Sequence, residues 1–560
     1  MAGLVTVRLP LGRFPRAFGF VASAQGSSGG GGPVGPPATP PAAAARAGLL
    51  AAAALSAVAC SRGLPAGDPG APDVIVVSID TLRADHLSSY GYARATSPFL
   101  DGLAAQGARY AQARSASPWT LPAHTTMLSG QLPLRHRIVE DSLKLDASLP
   151  FLPAAFAEAG YATAGFVSTF YVSGMYGFDR GFSKFEDFGI HDEKVNLRND
   201  LDARQVVDEA LGWWRKAPKG QPVFLFLHFY DVHYQYDPPA PWSSRFDDET
   251  DNDLRYKTYA HYKKKPPGES VMAHQVAQYD ESIAFVDDQL RRIADAAAAA
   301  GRPLRWVVTA DHGEEFLERG SWGHAHTLYA EQLHIPFIVS GPGVPAGVVV
   351  DTPIGNQDLA PTVAAWAGLD AAPFATDGVV LTPGGPLPPA GRPFPAETTR
   401  FKTNRLGLRS GDLRLEWDLA ANHAELFDLA ADPAERTDVA AARPEDVLRL
   451  QQELVALHGG PWTAGAAGDV AVDGGVVLRV SPAPRVAVAA GEAFATLPWD
   501  APVRFFAPGS PPAGPAQPVG GVVPEGFPLQ WSGGSSGLAH EVDDATRAML
   551  EAIGYEDAEE

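Results

Sequence analysis

The stretch "DVIVVSID", residues 73–80, is an apolar run closed by a carboxylate. A strand covered on both faces has no reason to alternate polar with apolar side chains, so this run reads as buried sheet. "PVFLFLHF" (222–229) and "LRWVVTAD" (304–311) repeat the pattern. Between those two, Val276, Ile283, Val286, Leu290 and Ile293 recur at helical spacing, and Gly301-Arg302-Pro303 ends the helix. Buried strands alternating with helices predict an α/β fold built on a doubly wound, mostly parallel sheet. Ligands of such sheets gather at the carboxyl ends of the strands. Asp80 and Asp311 stand at two of those ends.

Outward from this core, 73–345 reads as one α/β domain. Past 345 the texture loosens, and "TNRLGLRSGDLRLEWDL" (403–419) predicts antiparallel strands followed by a helix over 444–457. A smaller C-terminal antiparallel subdomain is therefore expected over 346–460. Residues 461–535, rich in Gly, Pro, Ala and Val, predict a β-like appendage, and 536–560 a short acidic helix. At the other end, 1–72 reads as leader and linker, with low complexity over 24–45. "RAGLLAAAALSAVAC" offers a positive charge, an apolar run over 47–59, and Cys60. That run is too short to span a bilayer but suits the core of a signal peptide. The cysteine after small residues resembles a lipoprotein cleavage site, with Ala57 where such sites prefer leucine. The expectation is an exported protein, periplasmic or in the outer envelope, that meets the membrane only through a lipid on Cys60. The overlong leader points to a start codon further downstream.

A net charge of −21 argues against nucleic-acid binding, since there is no basic face to neutralise phosphates. Cys60 is the only cysteine, so neither an intrachain disulfide nor a cysteine active site can be built.

Four segments carry the chemistry: 78–92 with Asp80, 115–130 with Thr120, 228–239 with His233, and 309–337 with Asp311, His312, His324 and His326. Two carboxylates at neighbouring strand ends repel in a low-dielectric crevice. A divalent cation (zinc, manganese or calcium) held by Asp80, Asp311 and His312 resolves the repulsion. The plainer alternative makes each aspartate a turn former. Thr120 opens a helix with Pro122 in its first turn, where free N–H groups face an anion. Metal coordination would activate its hydroxyl, whereas the plainer alternative is a helix cap. His124, His136, His233 and His324 are candidates to surround a tetrahedral anion or protonate a leaving oxygen. His86 and His326 are weaker candidates.

Taken in order, these segments resemble the sulfatases, within the alkaline phosphatase superfamily. "DVIVVSIDTLRADHLSSYGY" is similar to the family's opening strand, "SPWTLPAHTTMLSGQLPLRHRI" to its nucleophile segment, and "PVFLFLHFYDVHYQYDPP" to its central strand. "VVTADHGEEF" is similar to its second metal-ligand pair, and "ELFDLAADPAERTDVA" to its C-terminal subdomain. The family oxidises cysteine or serine to formylglycine in a Cys/Ser-x-Pro-x-Arg motif. Here that position reads Thr120-Leu121-Pro122-Ala123-His124, which cannot form the aldehyde. Threonine resembles the superfamily's phosphodiesterases and phospho-alcohol transferases. The resemblance implies Thr120 as nucleophile and metal ligand beside Asp80, Asp311 and His312, with His233 and His324 in catalysis and His124 and His136 binding substrate. Thr81 stands where a further aspartate is usual, the family's lysines have no clear counterpart, and a second metal through His324 or His326 stays open. The expected function is hydrolysis of phosphate or phosphonate esters, with sulfate esters secondary, in small-molecule or glycan substrates. The alternatives are an envelope transferase of phosphoethanolamine or phosphoglycerol, and a non-catalytic binder of anionic glycans.

Overall fold

The computed structural model describes residues 70–189, 201–247, 267–419 and 423–458, with short strands between 475 and 539. Its main sheet contains β1 (Asp73–Ile79), β2 (Ala108–Tyr110), β3 (Ala162–Val167), β4 (Lys184–Glu186), β5 (Val223–Phe229), β6 (Leu304–Ala310), β7 (Phe337–Ser340) and β8 (Val348–Val350). The strand order is β8-β2-β7-β6-β1-β5-β3-β4. From β6 to β4 every pairing is parallel, while β7 runs antiparallel to β6 and β2. β8 carries this sheet beyond 345, the expected boundary.

β1, β3 and β5 are buried at every residue, which is why their sequences do not alternate. Each large apolar side chain so enclosed, Phe224 or Leu227 for example, contributes about 1.5–3 kcal/mol of transfer free energy. The helices that matter here are α1 (Thr120–Ser129), α2 (Ala203–Trp214), α3 (Glu269–Ala300) and α4 (Pro444–His458). Asp202 and Gln205 close a reciprocal capping box on α2. Gly301, at φ 65°, ends α3 where Gly-Arg-Pro predicts.

Register decides where the chemistry lies. Ile79 pairs with Ala310 and Ser78 with Thr309, so Asp80 and Asp311 leave the sheet side by side. On the other flank Ser78 pairs with His228.

The expected antiparallel subdomain is a four-stranded sheet of β9 (Phe394–Thr398), β10 (Arg405–Ser410), β11 (Leu413–Asp418) and β12 (His423–Asp428) in sequence order, with α4 packed on it. β9 runs beside the Thr120 segment. Glu397 N donates to Ala116 O at 3.1 Å, Ser117 Oγ to Glu397 O at 3.1 Å, and Thr398 Oγ1 to Ala325 O at 2.7 Å.

Five short antiparallel strands follow over 475–519. Leu538–Ala539 is a strand paired with Leu143–Lys144, inside the stretch expected to be helical. The rest of 536–560 lies outside the described residues, as do the leader with Cys60 and the loop residues 190–200 and 248–266. Among the described residues, no helix is long and apolar enough to cross a membrane.

Candidate active site

The turn after β1 carries Thr81 at φ 54°, an unusual conformation for a residue with a branched Cβ. Its N–H donates to Asp311 Oδ1 at 3.3 Å, and the N–H of His312 donates to the same oxygen at 2.9 Å. The carboxylate of Asp311 is thereby oriented, with Oδ2 3.3 Å from His312 Nε2. Asp80 Oδ1 lies 3.7 Å from that nitrogen. His312 Nδ1 faces the carbonyl of Gly313 at 3.0 Å and must be the donor there, so in the neutral ring Nε2 carries a lone pair. Acceptors therefore face acceptors. Both oxygens of Asp80, Oδ2 of Asp311 and Nε2 of His312 are buried and make no hydrogen bond.

A divalent cation removes that conflict. Separations of 3.3–3.7 Å are the edges of a coordination shell with bonds of about 2.0–2.3 Å. The three residues do form one geometric group able to hold an ion. Without one, burial pushes the Asp80 carboxyl up to about 7, opposed by the neighbouring His312. Asp311 is raised too, by burial and then by the charge of Asp80.

α1 meets these carboxylates at its first turn. Trp119, extended at φ −151°, is its N-cap, so Thr120 is the first helical residue rather than the cap. All ten residues of α1 are buried. One turn on, His124 Nδ1 lies 2.9 Å from the carbonyl of Thr120 and 3.5 Å from Asp311 Oδ2, which ties the helix start to the carboxylate. His124 Nε2 meets Ser78 Oγ at 2.9 Å. This imidazole, expected on the substrate, lies one strand layer inside Asp80 and packs against His228, ring centroids 5.0 Å apart. His136 is held within the fold, Nε2 3.1 Å from Thr126 Oγ1 and Nδ1 accepting from Ile138 N at 3.0 Å.

His233 and His324 lie together, ring centroids 4.9 Å apart, and His324 is 4.6 Å from His312. Tyr230 stacks on His233 at 4.2 Å, and His233 Nδ1 donates to the carbonyl of Tyr234. His324 Nδ1 is 2.9 Å from Glu314 Oε1, while Tyr236 donates to Glu314 Oε2 at 3.1 Å. His326 Nε2 is instead 3.2 Å from Glu315 Oε2. His324 and His326 are thus held by separate carboxylates. Burial lowers His124 to about 3 and His228 to about 4, and holds His233 and His324 well below the usual imidazole range.

Three residues here escape sequence reasoning. Glu314 directly follows Asp-His-Gly. His228 interrupts an otherwise apolar buried strand, a signal in itself. Arg400 places its guanidinium 4.6 Å from the Trp119 ring and donates to Tyr171, and nothing in the local sequence marks it.

Gly313 is required by close approach: a Cβ there would lie 2.2 Å from the carbonyl of Glu331. Gly313→Ala should cost about 1–3 kcal/mol and loosen the Asp311–His312 turn. Thermal unfolding with metal analysis checks this, and an unchanged melt with unchanged metal content would refute it.

Residues 72–369 match the family model for sulfatases. Delta 4,5-hexuronate-2-O-sulfatase of Bacteroides thetaiotaomicron is 23% identical over 347 residues, covering 56% of this chain and 71% of that protein. Choline-sulfatase of Rhizobium meliloti is 22% identical over 368 residues, covering 56% and 71%. Among solved structures, a phosphonate monoester hydrolase from Silicibacter pomeroyi shares the fold with TM-score 0.59 and 21% identity, over 69% of this chain and 95% of that one. The phosphonate monoester hydrolase of Agrobacterium radiobacter does so with TM-score 0.56 and 20% identity, over 72% and 99%. The family match takes in β1 to β8, α1 and both carboxylates, more than half of the 560 residues, and on that basis the protein belongs to the sulfatase family.

Proposed function

We propose that this chain is a metal-dependent hydrolase of phosphate or phosphonate esters, with sulfate esters secondary, and that Thr120 is its nucleophile. The observation that carries the reading is a threonine opening the buried helix α1, tied through His124 to the Asp311 carboxylate. The only cysteine, Cys60, lies outside the matched segment, and threonine cannot supply the aldehyde that formylglycine chemistry needs. Solved relatives in fold include two phosphonate monoester hydrolases, which supports phosphorus as the reacting centre.

Asp80, Asp311 and His312 would hold the cation, which when bound polarises the ester and favours the ionised form of a nearby hydroxyl. Thr120 Oγ1 forms its bond to phosphorus as the bond to the leaving oxygen breaks. The proton lost by Thr120 passes to His324, whose Nδ1 is held by Glu314, and from there to the leaving oxygen. Water then cleaves the phosphothreonine. His233, stacked on Tyr230, donates to the ester oxygens.

The test is turnover of nitrophenyl sulfate, phosphate, phosphonate monoester and phosphodiester with zinc or manganese. A phosphorus ester should be the best substrate. Exclusive turnover of the sulfate would overturn the preference, and silence in metal-loaded protein would move the assignment to a transferase awaiting its acceptor.

A further inference from the structure

His228 is not used by the chemistry above. It sits on β5 opposite Ser78, fully buried, and neither ring nitrogen makes a hydrogen bond. A neutral imidazole has one N–H and one lone pair, so this side chain leaves both without a hydrogen bond in the interior, an unfavourable arrangement. Its surroundings are donor atoms suited to metals. Nε2 is 3.3 Å from Asp80 Oδ2, and the ring is 5.0 Å from that of His124. His124, His228 and Asp311 form a second geometric group able to hold an ion, separate from Asp80, Asp311 and His312 but sharing Asp311.

The sharing is legible atom by atom. Asp311 Oδ2 lies between two imidazoles, 3.3 Å from His312 Nε2 and 3.5 Å from His124 Nδ1. Asp80 divides in the same sense, with Oδ1 toward His312 and Oδ2 toward His228. Each carboxylate thus faces two nitrogen-lined positions, the arrangement by which carboxylates bridge paired cations about 3.5–4 Å apart.

We propose that the chain holds a second divalent cation one strand layer inside the first, bound by His124, His228 and Asp311, so that Asp311 bridges two ions. His124 must then present a lone pair at Nδ1, giving up its hydrogen bond to the Thr120 carbonyl 2.9 Å away, and Ser78 lets the proton change sides. Its hydroxyl, 2.9 Å from Nε2, accepts a hydrogen bond as readily as it donates one, so the proton moves to Nε2 and the ring keeps its orientation. Two dications against two carboxylates leave an excess of positive charge, which an anionic ester balances. Nitrogen-rich donors of this kind suit zinc over calcium.

This inference rests on the metal reading of the site but fails separately from it. The full-length protein, stripped with chelator and reloaded with manganese chloride, is analysed for metal per chain and by electron paramagnetic resonance. Two ions per chain with an exchange-coupled spectrum are expected. His228→Gln should lower the ratio to one and leave the six-line signal of an isolated ion, and His124→Gln should do the same. Glu425→Ala, in the exposed group His423, Glu425 and Asp438, should leave the ratio at two. One ion in the wild type, or two uncoupled ions, overturns the proposal, as does a ratio unaffected by both histidine substitutions. No bound ion at all overturns the first site as well.

Discussion

Thr120→Ala is expected to lower turnover of the best ester substrate by about 10⁴-fold or more, because a nucleophile acting with its partners as a unit leaves little behind when removed. The change should leave folding intact. Thr120 is the first helical residue and not the N-cap, so no cap is lost, and alanine is the best helix former. Thr120→Ser keeps the hydroxyl and should retain part of the rate. The measurement is initial rates with matched circular dichroism and metal content. If the alanine variant keeps more than a tenth of the activity, water is the nucleophile and the threonine assignment fails.

A second large effect concerns the metal-free protein. Burial raises Asp80 from 3.8 to about 7, so the folded, metal-free state binds a proton that the unfolded chain releases. The sign follows: this contribution stabilises below pH 4, is lost progressively as pH rises toward 7, and levels off above that. At about 1.4 kcal/mol per pKa unit, the loss is roughly 4 kcal/mol at most. Asp80→Asn removes the titration. At pH 8 in chelator the variant should therefore melt above the wild type, while failing to retain metal or activity. Adding metal should reverse the order, since only the wild type then has a charge to pair. A pH series of melting curves for both proteins decides it, and parallel curves between pH 4 and 8 would show that Asp80 is ionised at no cost.

The sheet was readable because β1, β5 and β6 are enclosed on both faces, and enclosure of that kind leaves an unbroken apolar run in the sequence. The carboxylates were readable for the same reason, as the first charged residues after each run. What the sequence concealed depends on register and on distant packing. His228 acquires its importance by lying opposite Ser78, and Glu314 by meeting a histidine ten residues on. The separate tethering of His324 and His326 follows from two adjacent glutamates pointing different ways, which no spacing rule reveals. Arg400 reaches the site from another subdomain altogether.

The hydrogen bonds from β9 to the Thr120 segment bear on the order of events during synthesis. Ala116 and Ser117 are joined to Glu397, and Ala325 to Thr398, so these clasps cannot close until nearly three hundred further residues have been translated after Thr120. Domains tend to fold from the amino end as the chain emerges, but this centre is finished from the other direction. A chain cut at residue 369, where the family match ends, would leave its reactive segment unclasped.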